Sequence, residues 1–316
     1  MTYDVIVIGG GPAGMSAAVA LGRALRTVLL VDAATPRNAP ADGIHNYLTR
    51  DGIPPAEFRE LGRAEVTRYG GEIIEATVAT ATAGTTTAGT TTAGAEGLSV
   101  TLTDGRHFRA RRLLITTGLT DELPDIPGLR DQWGHGVLHC PYCHGYEVRG
   151  RAIGIIGSSP VALHHAQLWR QWSDDVVLFQ HTAPAPDESQ AAALTARGIR
   201  VMTEKVAEVV ASGGRLTGVR LTDGTLIARD AVVVAPRFNA NAGLVRSLGL
   251  EAVENDFGSS IAADPTGRTA VPGVWVAGNV TDSMAQVVSS AAAGLQAGAV
   301  LNMDLIGEEV DRAVAG

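Results

Sequence analysis

The sequence is poor in several features that mark particular classes of protein. Only 2 of its 316 residues are cysteine, and aromatic residues make up 4%. Disulfide-stapled domains carry more cysteines than this, so a lone pair indicates catalysis or metal binding instead. The few aromatic residues, beside 38 glycines, favour binding sites lined by backbone over aromatic platforms.

Positive charge and membrane signals are also scarce. The formal net charge is −8, which argues against a nucleic-acid partner because phosphate binding needs a concentrated basic surface. The N-terminus lacks the basic region and cleavage site of a signal peptide, and no apolar stretch is long enough to span a bilayer. We therefore expect a cytoplasmic protein with no membrane partner.

Two segments read as strand, turn, helix and strand. The first has a buried strand at Val5 to Ile8 and a second strand that ends at Asp32. The later copy runs from about Ala152 to His181. Two such units predict an α/β fold with two doubly wound, Rossmann-like domains.

Three other segments predict hairpins. The stretches LSVTLTDGRHFRARRLLITTG and LTGVRLTDGTLIARDAVVVAP each place alternating strands on either side of an Asp-Gly turn. Between Val78 and Gly97 the pentapeptide TTTAG occurs twice in tandem. Its repeated glycines and lack of large apolar residues indicate a lengthened hairpin tip.

The first turn carries a dinucleotide-binding fingerprint, G-x-G-x-x-G, directly after a strand and before a helix. Gly9 permits the tight turn, Gly11 lets backbone approach a pyrophosphate at the helix N-terminus, and Gly14 lets helix and strand pack closely. Asp32, at the end of the next strand, is placed to accept hydrogen bonds from a ribose hydroxyl. The motif predicts a bound dinucleotide but does not distinguish FAD from NAD.

The C-terminal segment distinguishes FAD from NAD through a family resemblance. It reads as a strand at Val274 to Ala277, a Gly-Asn turn and a long helix from about Ala285. Together with GGGPAG, ITTG and C-x-x-C in that order, it resembles the low-molecular-weight thioredoxin reductases over essentially the whole chain. The resemblance implies a homodimer in which residues 1–117 and 244–316 form an FAD domain. Residues 118–243 would then be an inserted NAD(P)-type domain that carries the C-x-x-C motif.

The resemblance also implies which residues contact FAD. These are Gly9, Gly11, Pro12, Ala13, Gly14, Asp32, His45, Asn46, Val78, Thr117, Gly118, Gly278, Asn279, Gln286 and Val287. Two positions depart from the family pattern. Asn279 stands where the family has Asp, and Ala285 stands where an Arg usually precedes Gln286. We expect flavin binding to survive both changes.

The segment LHCPYCHGYE, which holds Cys140 and Cys143, allows several chemistries. C-x-x-C-H is a haem attachment signature, C-x-x-C is half of a zinc site, and C-x-x-C is also a redox dithiol. Nothing in the sequence supports export for haem attachment, and no second cysteine pair completes a zinc site, although His135, His139 and His144 lie near. Two inert buried cysteines are the remaining alternative. We predict a redox dithiol and no metal.

The resemblance assigns roles to this pair. Cys143 faces the flavin, and Cys140 exchanges with substrate. His144 stands where thioredoxin reductases carry an acidic residue, and a histidine can accept the proton of an incoming thiol near neutral pH. His139 is a second candidate for the same role.

The second fingerprint is damaged. In the segment GSSPVA, Ser159 replaces the middle glycine and Pro160 removes an N–H close to the helix start. Gln180 and His181 occupy the strand end where an NADPH site has arginines. These changes predict that the nicotinamide site has decayed.

The combination of FAD, C-x-x-C-H and a decayed nicotinamide site is similar to the FAD-dependent dithiol oxidases of gliotoxin, holomycin and romidepsin type, which serve antibiotic biosynthesis. That similarity implies oxidation of a small-molecule dithiol, with molecular oxygen reoxidising the flavin. An NADPH-dependent thioredoxin or disulfide reductase and a non-catalytic flavin redox sensor remain as alternatives.

Overall fold

The computed structural model describes residues 2–83 and 97–316. The tandem TTTAG repeats lie outside the described residues. The helices are α1 (Pro12–Arg23), α2 (Pro55–Arg68), α3 (Pro141–His144), α4 (Val161–Trp169), α5 (Glu188–Ala196) and α6 (Val287–Ala315). Short 3₁₀ helices span Arg130–Gln132, Val245–Leu248 and Gly278–Val280.

The strands up to the middle of the chain are β1 (Thr2–Ile8), β2 (Val28–Asp32), β3 (Glu72–Glu75), β4 (Val78–Thr82), β5 (Leu98–Leu102), β6 (His107–Ile115), β7 (Leu119–Glu122), β8 (Val137–Leu138) and β9 (Ile153–Ile156). The later strands are β10 (Val176–Phe179), β11 (Arg200–Met202), β12 (Val206–Ser212), β13 (Arg215–Leu221), β14 (Leu226–Ala228), β15 (Ala231–Val233), β16 (Arg237–Ala240), β17 (Ala252–Asn255), β18 (Gly258–Ile261) and β19 (Val274–Val276).

The chain divides into two compact units. The first comprises Met1–Ala39, Pro55–Thr120 and Phe238–Gly316, and the second comprises Pro40–Pro54 and Asp121–Arg237. Both units are discontinuous in sequence, because the short segment Pro40–Pro54 belongs with the second. The predicted domain limits, 1–117 with 244–316 and 118–243, stay a prediction.

The first unit is built on a seven-stranded sheet. Its order is β3-β2-β1-β6-β5-β4, and β19 also pairs with β6. Strands β1, β2, β3 and β19 run parallel to their neighbours, while β5 pairs antiparallel with β6 as the first hairpin prediction requires. Apolar side chains from the two faces of this sheet form two separate cores. A further sheet has the order β17-β18-β16-β7.

Helices α1 and α6 pack closely against one another. Both helices are rich in small residues, so their backbones approach closely. A Cβ added at Gly294 of α6 would lie 2.0 Å from the carbonyl oxygen of Ala13 in α1. Arg112, buried in the middle of β6, adds an ion pair to Asp304 of α6 at 2.6 Å. The sheet and α1 thus fix the position of α6.

The second unit contains a smaller doubly wound sheet of order β11-β10-β9-β15-β8, in which every pair is parallel. Strands β9, β10 and β15 are fully buried apolar runs, as parallel strands covered on both faces require. The hairpin β13-β14 and its neighbour β12 form an antiparallel sheet beside it. The structure confirms the predicted strand-turn-helix-strand pattern in both units.

Candidate active site

The turn after β1 requires glycine at two of its positions. Gly9 has φ +113°, and a Cβ there would lie 2.3 Å from the carbonyl oxygen of Thr116. At Gly14, a Cβ would lie 1.9 Å from the carbonyl oxygen of Gly9. Any larger residue would push α1 away from β1 and open the turn.

Gly11 has a different function, because its Cβ would meet no atom within 4 Å. It precedes α1, whose first position is Pro12, and no acidic residue lies in the first turn of that helix. The space beside Gly11 is therefore open at the positive dipole end of α1, where first-turn N–H groups lack partners within the helix. This cradle fits the pyrophosphate of FAD, which a Cβ at Gly11 would obstruct.

Thr116 holds the same turn and was not singled out from the sequence. Its side-chain hydroxyl lies 2.8 Å from the carbonyl oxygen of Gly9 and 3.1 Å from that of Ile8. The neighbouring Thr117 is held by two hydrogen bonds with Asn241. Its hydroxyl donates to the backbone carbonyl of Asn241 at 3.0 Å, and its own carbonyl accepts from the side-chain amide of Asn241 at 2.9 Å. Gly118 follows with φ +68°. The strand end beside the glycine turn is thus rigidly held.

Asp32 is buried at the end of β2 and has many partners. One of its oxygens accepts hydrogen bonds from the backbone N–H groups of Gly10 at 3.3 Å and Ala34 at 3.1 Å. The other forms ion pairs with Arg59 at 2.8 Å and Arg63 at 3.5 Å, both from α2. The sequence analysis missed these arginines, since no local pattern links them to Asp32. The ribose contact of Asp32 stays a prediction.

The C-terminal segment lies beside the glycine turn. Gly278 has φ +79°, and a Cβ there would lie 2.9 Å from that of Ala13. The side-chain amide of Asn279 donates to the carbonyls of Ala285 at 2.8 Å and Asp282 at 3.0 Å, which orders the turn before α6. Gln286 is the N-cap of α6 and Val287 is its first residue. The structure therefore brings Gly278 into contact with the N-terminal fingerprint, as the predicted flavin site requires.

Three predicted flavin contacts belong to other segments of the chain. Val78 begins β4 and pairs with Leu102 of β5. His45 and Asn46 lie in Pro40–Pro54, which belongs to the second unit together with the cysteines. Their roles as flavin contacts stay predictions.

The cysteines lie on a single turn of helix in the second unit. Cys140 is the N-cap of α3, and the N–H groups of Cys143 and His144 each donate to its carbonyl at 3.2 Å. The two cysteines are not joined by a disulfide, both are half-buried, and their sulfur atoms are 2.7 Å apart. The two sulfurs are therefore adjacent, as a pair that exchanges between dithiol and disulfide requires.

His144 ends this turn with its imidazole buried. Neither ring nitrogen has a hydrogen-bond partner among the residues that the structure describes. Burial lowers the pKa of His144 below its ordinary value and His45 adds to the effect, whereas the carboxylates of Glu147 and Asp42 oppose it. His139 is fixed by stacking on Trp133, with ring centroids 5.6 Å apart. The lowered pKa favours the neutral imidazole, in which one ring nitrogen can accept a proton, and both ring nitrogens are shielded from solvent.

Two properties of the described part of the chain are the grouping of its possible metal ligands and the apolar length of its helices. In residues 2–83 and 97–316, no group of three or more His, Cys, Asp or Glu side chains is arranged to hold a metal ion. Over the same residues, no helix has the length and apolar character needed to cross a membrane.

The second nucleotide turn keeps the first glycine and the proline of the first turn, as Gly157 and Pro160, but has Ser159 and Ala162 where the first turn has Gly11 and Gly14. A Cβ at Gly157 would lie 2.7 Å from the carbonyl oxygen of Gln180, so this glycine has a packing role. Pro160 is the N-cap of α4, whose first turn therefore has no N–H at that position. The imidazole of His181 accepts the backbone N–H of Val206 at 3.1 Å. This strand end is closed by internal bonds, and its affinity for a nicotinamide nucleotide stays a matter of prediction.

Known proteins resemble this chain along almost its full length. Residues 3–294 match the profile of the pyridine nucleotide-disulphide oxidoreductase family. Thioredoxin reductase tcpT from Claviceps purpurea (strain 20.1) is 31% identical over 96% of this chain and 95% of that protein. Among solved structures, HlmI matches with 45% identity and a TM-score of 0.89, covering 99% of this chain and 96% of HlmI.

A further solved structure is similar at lower identity. The oxidoreductase from Agrobacterium tumefaciens is 37% identical with a TM-score of 0.88, and the match covers 97% of this chain and 99% of that one. The two doubly wound sheets, the fingerprint turn and these matches agree. The chain belongs to the pyridine nucleotide-disulphide oxidoreductase family and is an FAD-binding enzyme with two Rossmann-like domains.

Proposed function

We propose that this enzyme is an FAD-dependent dithiol oxidase, which forms an intramolecular disulfide in a small-molecule dithiol of natural-product type with O₂ as the electron acceptor. The observation that carries the proposal is a contrast within the second unit. The dithiol turn is complete and has a buried, unpartnered imidazole beside it. The nucleotide turn of the same unit has lost its middle glycine and has its strand end bonded internally.

The cysteine pair performs the exchange with substrate. One substrate thiolate attacks Sγ of Cys140 in the oxidised pair, so that a mixed disulfide forms and Cys143 leaves as thiolate. The second substrate thiolate then attacks the substrate sulfur of that mixed disulfide and releases Cys140. Substrate loses two electrons and two protons, and the cysteine pair gains the two electrons.

His144 contributes by accepting a proton from the incoming thiol. A thiol is a poor nucleophile until it is deprotonated, and the lowered pKa keeps the imidazole neutral and able to accept. A buried imidazole without a hydrogen-bond partner is energetically costly. A substrate thiol that donates to it would remove that cost, which supports its role as the base.

The turn from Gly9 to Gly14, with Gly278 and Asn279, would hold the cofactor. When bound, FAD would supply a two-electron acceptor for the reduced cysteine pair and a route for those electrons to O₂, with one H₂O₂ expected per disulfide. The residues of the first unit bind and orient this group and take no part in thiol exchange.

The surroundings of the dithiol support a compact substrate. Tyr142 and Tyr146, which flank His144, are 59% and 65% exposed. Tyr142 is held edge-on against Trp172 with ring centroids 5.7 Å apart, and the guanidinium of Arg149 lies 3.9 Å from the centroid of the Tyr146 ring. Fixed aromatic faces bind small organic molecules at low entropic cost.

A second candidate is an NADPH-dependent thioredoxin reductase, because tcpT is named as one. Steady-state assays in air separate the two. We expect a small aliphatic dithiol such as dithiothreitol to be oxidised with one O₂ consumed and one H₂O₂ formed per disulfide, without NADPH. NADPH-dependent reduction of thioredoxin, with no oxygen consumption on dithiols, would establish the reductase. Absence of turnover with either substrate would favour a flavin redox sensor.

A further inference from the structure

A short loop next to the dithiol turn has an unusual backbone. Residues 44–53 are closed by bonds between Ile44 and Ile53, with the N–H of Ile44 donating to the carbonyl of Ile53 at 2.8 Å. Within this 44–53 loop, Asn46 has φ +62° and Thr49 has φ +72°. A left-handed backbone is costly for residues other than glycine, particularly a β-branched one such as Thr49. Surrounding contacts must therefore hold the loop in place.

Asp51 supplies part of that support. One carboxylate oxygen of Asp51 accepts the backbone N–H of Asn46 at 2.8 Å, and the other lies 3.5 Å from Nδ1 of His45. The backbone N–H of Asn46 and then the His45 side chain lower the pKa of Asp51. The carboxylate therefore fixes the direction in which the Asn46 side chain leaves the loop.

That side chain bonds directly to the reactive turn. Nδ2 of Asn46 donates to the carbonyl oxygen of Tyr142 at 2.7 Å. Tyr142 lies between Cys140 and Cys143 in α3, which spans only Pro141–His144. The last four carbonyls of a helix have no hydrogen-bond partner within the helix. In a helix of a single turn such as α3, this applies to most of its carbonyls. Asn46 satisfies one of these carbonyls from outside.

The loop touches the dithiol segment at a second point. Nε2 of His45 lies 3.5 Å from the carboxylate of Glu147, which follows α3. The contacts of Asn46 and His45 thus lie on either side of His144 in the sequence. Two adjacent residues of one strained loop hold the segment that carries both thiols and the candidate base.

We propose that Asn46 is a positioning residue that maintains the geometry of the Cys140–Cys143 turn. By holding the Tyr142 carbonyl, it keeps the two sulfur atoms close and so favours the closed disulfide over the open dithiol. The inference rests on the proposed role of the cysteine pair and holds for either direction of electron flow. It gives Asn46 a function distinct from the flavin contact implied by family resemblance.

The test is the dithiol–disulfide equilibrium of the cysteines themselves. Flavin-loaded protein is equilibrated without oxygen in mixtures of reduced and oxidised dithiothreitol. Free thiols are then trapped with N-ethylmaleimide and counted by mass spectrometry, while bound FAD is measured from its absorbance. Asn46→Gly removes the amide and suits the left-handed backbone, so the loop should keep its shape. Thr49→Gly is the matched control, because it changes the other left-handed residue of the same loop.

We expect Asn46→Gly to shift the equilibrium toward the dithiol by about three- to tenfold, the effect of losing one hydrogen bond. Asn46→Asp, which keeps the size but places a carboxylate against the carbonyl, should shift it in the same direction. Thr49→Gly should match the wild type, and all three should retain FAD. An unchanged equilibrium in Asn46→Gly would overturn the proposal, whether or not FAD is lost, and so would an equal shift in Thr49→Gly. The equilibrium needs no turnover, so its outcome is separable from failure of the oxidase activity.

Discussion

The sulfur atoms of Cys140 and Cys143 lie 2.7 Å apart at the two ends of a single helical turn. This spacing gives the pair a high effective concentration for one another, which is the condition for rapid closure of a disulfide. In the function proposed above, the turn, its external support from Asn46 and the neutral His144 would together form a thiol-exchange centre within one unit of the chain. The flavin cradle lies in the other unit.

Removal of one cysteine should stop turnover and leave the flavin in place. In Cys143→Ser, Cys140 keeps its thiol and can still exchange with a disulfide reagent, but no Cys140–Cys143 disulfide can form to take two electrons from a substrate dithiol. We expect dithiol oxidation to fall by roughly a thousandfold or more, with the 450 nm absorbance of bound FAD unchanged. A stable one-to-one adduct with 5-thio-2-nitrobenzoate should be detectable by mass spectrometry. Substantial turnover in this variant would exclude the pair from the reaction.

Replacement of His144 should remove the base. We expect His144→Asn to lower kcat/KM by about 10²- to 10⁴-fold, since the substrate thiol then has no positioned acceptor. Because the pKa of His144 is lowered, its neutral form persists below pH 6.5, and the acidic limb of the wild-type profile should lie below that value. The variant should lose this limb.

Two histidine variants serve as comparisons for that result. His139→Asn should lower kcat/KM less than His144→Asn does, because the His139 ring is already stacked on Trp133. His107→Asn, in the first unit, should have the kcat/KM of the wild type. An unaltered pH profile in His144→Asn would remove it from the mechanism.

A substitution at Gly11 should separate flavin binding from folding. Its added side chain would meet no protein atom within 4 Å, so Gly11→Val should fold. The side chain would occupy the space that the pyrophosphate needs, and we expect FAD affinity to fall by about a hundredfold or more. Gly307→Ala in α6, another site without neighbouring atoms, should retain FAD. Equal FAD content in Gly11→Val and the wild type would place the pyrophosphate elsewhere.

Stability should decline in mild acid because of His165 in α4. Burial, with a contribution from His164, lowers the pKa of His165 to about 4. The unfolded chain, with a histidine pKa near 6.5, binds this proton first, so stability is fully present above about pH 6.5 and falls toward pH 4. The loss should be about 1–3 kcal/mol. His165→Gln should flatten the pH dependence of Tm across this window. If the Tm of the variant fell with pH as steeply as that of the wild type, groups other than His165 would cause the acid sensitivity.

Local sequence patterns predicted the scaffold well and the support of the dithiol poorly. Gly9 and Gly14 are recognisable because a specific backbone close approach excludes every larger residue, and buried parallel strands produce continuous apolar runs. Thr116, Arg59 and Arg63 act through contacts between distant segments, and no spacing rule encodes such contacts. The same reason explains why the bond from Asn46 to Tyr142 was not foreseen.

Composition also misled in one respect. The low aromatic content pointed to backbone-lined sites, which holds for the glycine turn. Near the cysteines, however, Trp133 stacks on His139, and Trp172 contacts both Trp169 and Tyr142. Three of the four tryptophans are thus concentrated near one short segment. The overall aromatic content does not show where the aromatic residues lie in the folded chain.

The central claim is that electrons enter from a dithiol and leave to oxygen. The most direct measurement is an anaerobic titration of the purified, flavin-loaded enzyme with NADPH, NADH and a small dithiol, followed by readmission of air. We predict that the dithiol bleaches the flavin, that the two nucleotides leave it oxidised, and that air restores the colour with formation of H₂O₂. Rapid bleaching by NADPH, with no response to the dithiol, would contradict the account.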